Sequence, residues 1–200
     1  MGKLREVIWV IGEGPTEFYY FNGLKDLYRK IDFKPTEPSH SSLHDYEKKI
    51  KEGIEAGVSK ILCVIDMDNK RRGTEKNKYD NLKKKYSKNK KSKIGTQVLF
   101  FETDPCTELF FLYYFSYVTK YYENQDGCIK DLHSKTGYEK KKEFFEKHPL
   151  NDYFIKQKGS LETAITFSEK SSKEIEEGKR DYTYSQIGDL FSILEASNNK

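Results

Sequence analysis

The sequence is poor in the residues that staple small or metal-built folds. Its three cysteines, Cys63, Cys106 and Cys128, are scattered without a Cys-x-x-Cys pair. That argues against structural zinc and for a reducing compartment. The four histidines, His40, His44, His133 and His148, have no ligand-like spacing. Long apolar runs are also missing. The longest aromatic-rich stretch, Leu109 to Val118, is too short to span a bilayer. No charged-then-apolar leader opens the chain, so the expected location is cytoplasmic, with no membrane contact. Gly12-Glu13-Gly14 lacks the Gly-Lys-Ser/Thr that completes a phosphate-binding loop.

What is present is charge and aromatic surface. Charged residues make up 34% of the 200 residues and hydrophobic ones only 36%, yet there are 15 tyrosines and 13 phenylalanines. So many aromatics exclude a disordered chain and point to a folded protein with a heavily charged exterior. The length suits one α/β domain plus a helical appendage. The net charge is only +4, but the positive excess gathers between Lys70 and Lys93. Such a patch suits nucleic acid as a partner. Within it, Lys83, Lys84, Lys85, Lys88, Lys90, Lys91 and Lys93 read either as a track for a phosphate backbone or as a solvated face.

Two short, nearly unbroken apolar runs open directly onto acids: Val7 to Ile11 before Glu13, and Ile61 to Ile65 before Asp66 and Asp68. Strands buried on both faces of a parallel sheet read this way, and ligands collect beyond the carboxyl ends of such strands. Between the runs, apolar spacing predicts helices over Pro15 to Arg29 and Leu43 to Ala56. Pro35 and Pro38 confine a short strand at Phe33 to Thr36 to a sheet edge or a loop. A lysine-rich helix is expected from Tyr79 to Lys91 and a strand over Gln97 to Phe101. Asp104 and Pro105 are then expected to cap an apolar, buried helix from Cys106 to about Tyr121. Beyond Glu123 the pattern predicts only helices: Tyr138 to Lys147, Leu150 to Lys156, Ser160 to Glu177 and Ser185 to Ala196. The expected division is an α/β domain over 1–122 and a helical extension over 123–200 packed on it. Tyr113, Tyr114, Tyr117, Tyr121 and Tyr122 are expected in the core rather than as platforms for bases.

Asp66 and Asp68, two apart, face one side only if the chain stays extended; they can then share a cation. Hard divalent ions take oxygen ligands and commonly keep water and substrate phosphate in their shell. Glu13 supplies a third carboxylate from the neighbouring strand. Glu17 falls at the third helical position after Gly14, where a cap and a metal ligand are both plausible roles. Glu108 sits in the first turn of the apolar helix, open to a helix-dipole role as well.

Three blocks occur in order: Gly12 to Phe21 (Gly-Glu-Gly-Pro-Thr-Glu-Phe-Tyr-Tyr-Phe), Val64 to Asn69 (Val-Ile-Asp-Met-Asp-Asn) and Thr103 to Phe115 with its Asp-Pro-Cys-Thr-Glu. Together they resemble the RloB-like, AbiL-related family, and Tyr138 to Lys141 and Ser185 to Leu190 echo its helical tail. The resemblance implies a Toprim-type fold, a mainly parallel sheet flanked by helices, and a role in bacterial defence and abortive infection. It implies Mg²⁺ or Mn²⁺ held by Glu13, Asp66, Asp68, Glu108 and Glu17, with Lys140 as a stabiliser of charge in phosphodiester hydrolysis. The chain departs from the family pattern at Thr107, where Phe is common, and at Phe110, where Trp often follows. The function expected is a metal-dependent nuclease acting on DNA or RNA, tRNA included. The alternative is a non-catalytic nucleic-acid-binding or sensor subunit working with a partner ATPase. A homodimer is compatible with either.

Overall fold

The computed structural model describes residues 5–36, 42–87 and 95–199. Pro38, His40, Lys88, Lys90, Lys91 and Lys93, which entered the expectations above, lie outside the described residues. The architecture is α/β, with a five-stranded sheet in the order β2-β1-β3-β4-β5. Strand β1 (Val7–Ile11) lies between β2 (Asp32–Thr36) and β3 (Lys60–Asp66), parallel to both, and β4 (Gln97–Asp104) continues the parallel run. The proline-bearing β2 takes the edge, where a missing N–H costs least.

Side chains alternate along each strand, and both faces are apolar. On one face Ile8, Val10, Leu62 and Val64 meet Tyr20 and Phe21 of α1 (Pro15–Asn22). On the other, Ile61, Cys63 and Ile65 meet Tyr46 and Ile50 of α2 (Leu43–Glu55) and Tyr79, Leu82 and Tyr86 of α3 (Gly73–Ser87). Helix α1 therefore leads from β1 to the edge on one face, while α2 and α3 lead the other way across the opposite face. The chain reverses direction between β1 and β3, and a crevice at the carboxyl ends of those two strands follows from that reversal.

The first helix is shorter than its apolar spacing predicts. It stops at Asn22, and a 3₁₀ turn, Lys25–Leu27, carries the chain to buried Tyr28. The apolar helix is shorter still: α4 covers only Glu108–Tyr113, all buried. Asp104 is not its cap. It extends β4 and pairs with the tail, its carboxylate taking Arg71 and the amide of Thr183 (2.9 Å), and the peptide to Pro105 is cis. At the far end the carbonyl of Tyr114 accepts from the Ser160 amide (2.9 Å), so it is turned toward a different segment.

The tail contributes a strand that periodicity did not reveal. β5 (Tyr184–Ser185) pairs antiparallel with β4, too short for any alternation to register. Helix α5 (Gln125–Thr136) has no counterpart in the expected elements: of its apolar residues only Cys128 and Leu132 are buried, with Ile129 partly so. Helices α6 (Lys142–Lys147), α7 (Leu150–Lys156), α8 (Leu161–Glu176) and α9 (Ile187–Asn198) follow. A buried hydroxyl seam joins the tail to the sheet: Thr103 Oγ1 donates to Ser185 Oγ (2.7 Å), and Ser168 Oγ donates to the Ser185 carbonyl (2.8 Å). Of the tyrosines expected in the core, Tyr113, Tyr114 and Tyr122 are buried, but Tyr121 is 58% exposed. It lies under the Arg71 guanidinium, 5.5 Å from its ring centroid.

Phe191 of α9 stacks on Phe110 with ring centroids 5.8 Å apart and packs against Phe21, so one apolar cluster runs from α1 into the tail. Phe191→Ala is expected to cost about 3–5 kcal/mol and to lower the urea midpoint as a single transition seen alike by circular dichroism and by Trp9 fluorescence. A loss under about 1 kcal/mol, or two separate transitions, would contradict a shared core.

Candidate functional site

The crevice between the ends of β1 and β3 is a cleft of about 910 Å³ bordered by Glu13, Glu17, Asp66, Asp68, Lys70 and Lys140. Each side chain arrives by a different local device. Gly12 is required because a Cβ there would lie 2.1 Å from Cβ of Glu17, so the β1 turn folds directly over the first turn of α1. Glu17 is the third residue of that helix, and its Oε2 accepts from the Gly14 amide (3.0 Å). It is thus a cap in fact, and it also borders the cleft.

Glu13 reaches across to β3, where its Oε1 accepts from the Asp66 amide (3.3 Å). The Lys70 ammonium lies 2.8 Å from that oxygen. Asp66 ends β3, and its Oδ1 accepts from both the amide (2.9 Å) and the hydroxyl (3.1 Å) of Thr107. The extended geometry assumed for the two aspartates is absent. The amides of Met67 and Asp68 both donate to the Pro105 carbonyl (3.0 Å each), turning the chain as it leaves the strand. Asp68 still borders the same cleft, with its Oδ1 accepting from the Asn69 amide (2.7 Å).

Glu108 does not border the cleft. It is fully buried at the start of α4, where Oε1 accepts from Tyr138 Oη (2.8 Å) and lies 3.1 Å from Lys140 Nζ. Lys140 stands between Glu108 and the cleft, also donating to Gln125 Oε1 (3.0 Å). It sits in the loop before α6, which starts four residues later than Tyr138, where periodicity places it.

The electrostatics follow from putting acids together out of water. Burial lifts the Asp66 carboxyl well above the usual carboxylate range, and Glu17, Glu13 and Glu108 add to the rise. Burial also raises Glu13, with Lys70 pulling the other way. Glu17 is pushed up to about 7, first by burial, with the charge of Glu108 adding to the rise. Burial alone would lower Lys140, but Glu108 and Asp66 hold it above the ordinary lysine range.

Of the residues singled out from the sequence, Glu13, Glu17, Asp66, Asp68 and Lys140 meet at one cleft, and Glu108 lies behind it. Lys70, Thr107 and Tyr138 were not given these roles. In the sequence Lys70 is one of several basic residues after Asp68 and Thr107 a departure from the resembled pattern, and neither residue type signals its contact. The basic track is partly committed elsewhere: Lys83 pairs with Glu102 (2.5 Å) and Lys85 with Glu47 (2.6 Å). Among the described residues, no three His, Cys, Asp or Glu side chains are gathered closely enough to hold a metal as they stand. In kind, an all-carboxylate set, with Glu13, Glu17 and Asp66 raised by burial, fits a hard divalent cation.

The sequence model for RloB-like protein matches residues 8–194. The chain belongs to the RloB-like family. The match runs from β1 into α9, so every cleft residue named above lies within the family's span. No curated protein and no solved structure matches the chain.

Because the folded Glu17 carboxyl titrates near 7 against about 4.5 when unfolded, its contribution to stability is complete below about pH 4.5 and is lost as pH rises through about 7. The full span is on the order of 3 kcal/mol. Urea unfolding at pH 5 and pH 8 is expected to give a smaller stability change between the two pH values for Glu17→Gln than for the unsubstituted chain. Equal changes would place Glu17 in contact with solvent.

Proposed function

We propose that this RloB-like protein is a Mg²⁺- or Mn²⁺-dependent nuclease of the Toprim type, related to AbiL, hydrolysing DNA or RNA phosphodiesters in defence against phage by abortive infection. The observation that carries the reading is the gathering of Glu13, Glu17, Asp66 and Asp68 with Lys70 and Lys140 at the crevice between β1 and β3. A fold has no structural need for so many desolvated acids at one spot, because each raises the cost of ionising the next.

Glu13, Asp66 and Asp68 would hold the ion, which when bound polarises a phosphoryl oxygen and lowers the pKa of a bound water. Thr107 holds one Asp66 oxygen by two hydrogen bonds, so the other oxygen has a fixed direction. Glu17, titrating near 7, is suited to take up or release a proton near neutral pH. Lys140, held by Glu108 and Gln125, remains charged and is placed to offset negative charge growing on a phosphoryl group.

The ion pairs Lys70–Glu13 and Lys140–Glu108 favour a second reading, in which the acids are compensated internally. The chain would then be a nucleic-acid-binding or sensor subunit, activated with a partner ATPase. Incubation with Mn²⁺ and labelled DNA, total RNA and tRNA separates the two. The nuclease reading expects cleavage of at least one substrate, reduced to background by Asp66→Ala and by Asp68→Ala with circular dichroism unchanged. Binding without cleavage, equal in all three proteins, would leave the sensor reading.

A further inference from the structure

Lys70 has the burial and the partners of a bound cation rather than of a surface lysine. Its side chain is 8% exposed, and its Nζ lies 2.8 Å from Glu13 Oε1, 3.0 Å from Glu13 Oε2 and 3.0 Å from the Asp66 carbonyl. An ammonium has three protons, and all the acceptors here belong to the cleft. Both oxygens of Glu13 are thereby engaged. A divalent ion taking that carboxylate as a direct ligand would lie a few ångströms from the ammonium, and the repulsion between the two cations opposes their sharing it.

The backbone around Lys70 is pinned. Its own amide donates to the Met67 carbonyl (3.0 Å), and Arg71 is tied to Asp104 and to the carbonyls of Tyr122 (2.9 Å) and Glu123 (3.0 Å). Only the side chain is free to relocate, and a destination is at hand. Lys70 also borders a second cavity, about 330 Å³, with Asp80, Glu102, Asp104 and Asp181 in its wall. Glu102 is engaged by Lys83, Asp104 by Arg71 and Asp80 by Lys76, whereas exposed Asp181 has no ion-pair partner among the described residues.

The geometry points to Lys70 as a built-in cation that occupies Glu13 when the cleft is empty of metal and swings into the acidic neighbouring cavity, toward Asp181, when a divalent ion is taken up. This inference rests on the metal-dependent reading of the cleft. It makes Lys70 a competitor for the ion and not one more cleft charge.

Two measurements test it without relying on cleavage. In reductive methylation followed by peptide mass spectrometry, Lys70 is expected to be protected in metal-free protein, to react several-fold faster with saturating Mn²⁺, and to react fast with or without Mn²⁺ in Glu13→Gln. In calorimetric titration with Mn²⁺ alone, Lys70→Met is expected to bind at least roughly tenfold more tightly, the scale of one charge-assisted hydrogen bond. Lys78→Met, which removes an exposed charge from the same cleft, should change affinity less than about twofold. Asp181→Asn should weaken binding. Equal affinity of Lys70→Met and the unsubstituted chain, or protection of Lys70 that persists under saturating Mn²⁺, overturns the inference while leaving the metal reading intact. Absence of Mn²⁺ binding in both proteins overturns the two together. If Lys70→Met does not fold, the methylation arms decide alone.

Discussion

The constraint on which the rest depends is the desolvation of several carboxyl groups at one place. A parallel sheet that reverses its winding between β1 and β3 leaves a crevice, and the residues just past those strands must line it. When those residues are Glu13, Glu17, Asp66 and Asp68, the fold has to supply protons, ammonium groups or a metal. Lys70 and Lys140 are drawn in from loops, and burial raises the carboxyls of Asp66, Glu13 and Glu17. Much of the polar architecture around the cleft, from the Thr107 bonds on Asp66 to Tyr138 on Glu108, follows from that one requirement.

The parts of the fold legible in the sequence were those with a strong period or a sharp composition. Continuous apolar runs identified β1 and β3, because strands covered on both faces have no polar positions. The capping signature at Gly14 and Glu17 located the start of α1, and the acids at strand ends located the cleft. Less legible were features set by tertiary contacts. A two-residue strand has no period, and α5 buries too few residues to stand out. Asp104 has the composition of a helix cap, yet Thr183 and Arg71 compete for its carboxylate and keep it in the sheet. In the sequence the site shows only acids, because the pairing of Glu13 with Lys70 and of Glu108 with Lys140 is invisible in one dimension. Lys70, four residues past Asp66, is indistinguishable in the sequence from exposed Arg72 two residues on.

Thr107 illustrates how a departure from a family pattern acquires meaning only in three dimensions. Where the resemblance leads to an expectation of Phe, this chain has a hydroxyl that bonds Asp66 beside its own amide. An aromatic ring could not make that bond, so here the orientation of Asp66 depends on a side chain outside the acid set. Glu108, buried behind Tyr138 and Lys140, acts on the cleft through the lysine it holds and through its charge, which adds to the rise of Asp66.

The carboxyl end of β4 is stitched to residues far along the chain. Asp104 takes the amide of Thr183, the Glu102 amide donates to Gln186, and Glu108 takes Tyr138 and Lys140. Meanwhile the Pro105 carbonyl, next to Asp104, is what bends Asp68 into place. The smallest unit that keeps the acids in order is therefore the whole described chain: a fragment ending near residue 122 would retain every acid of the cleft and lose the scaffold that aims them.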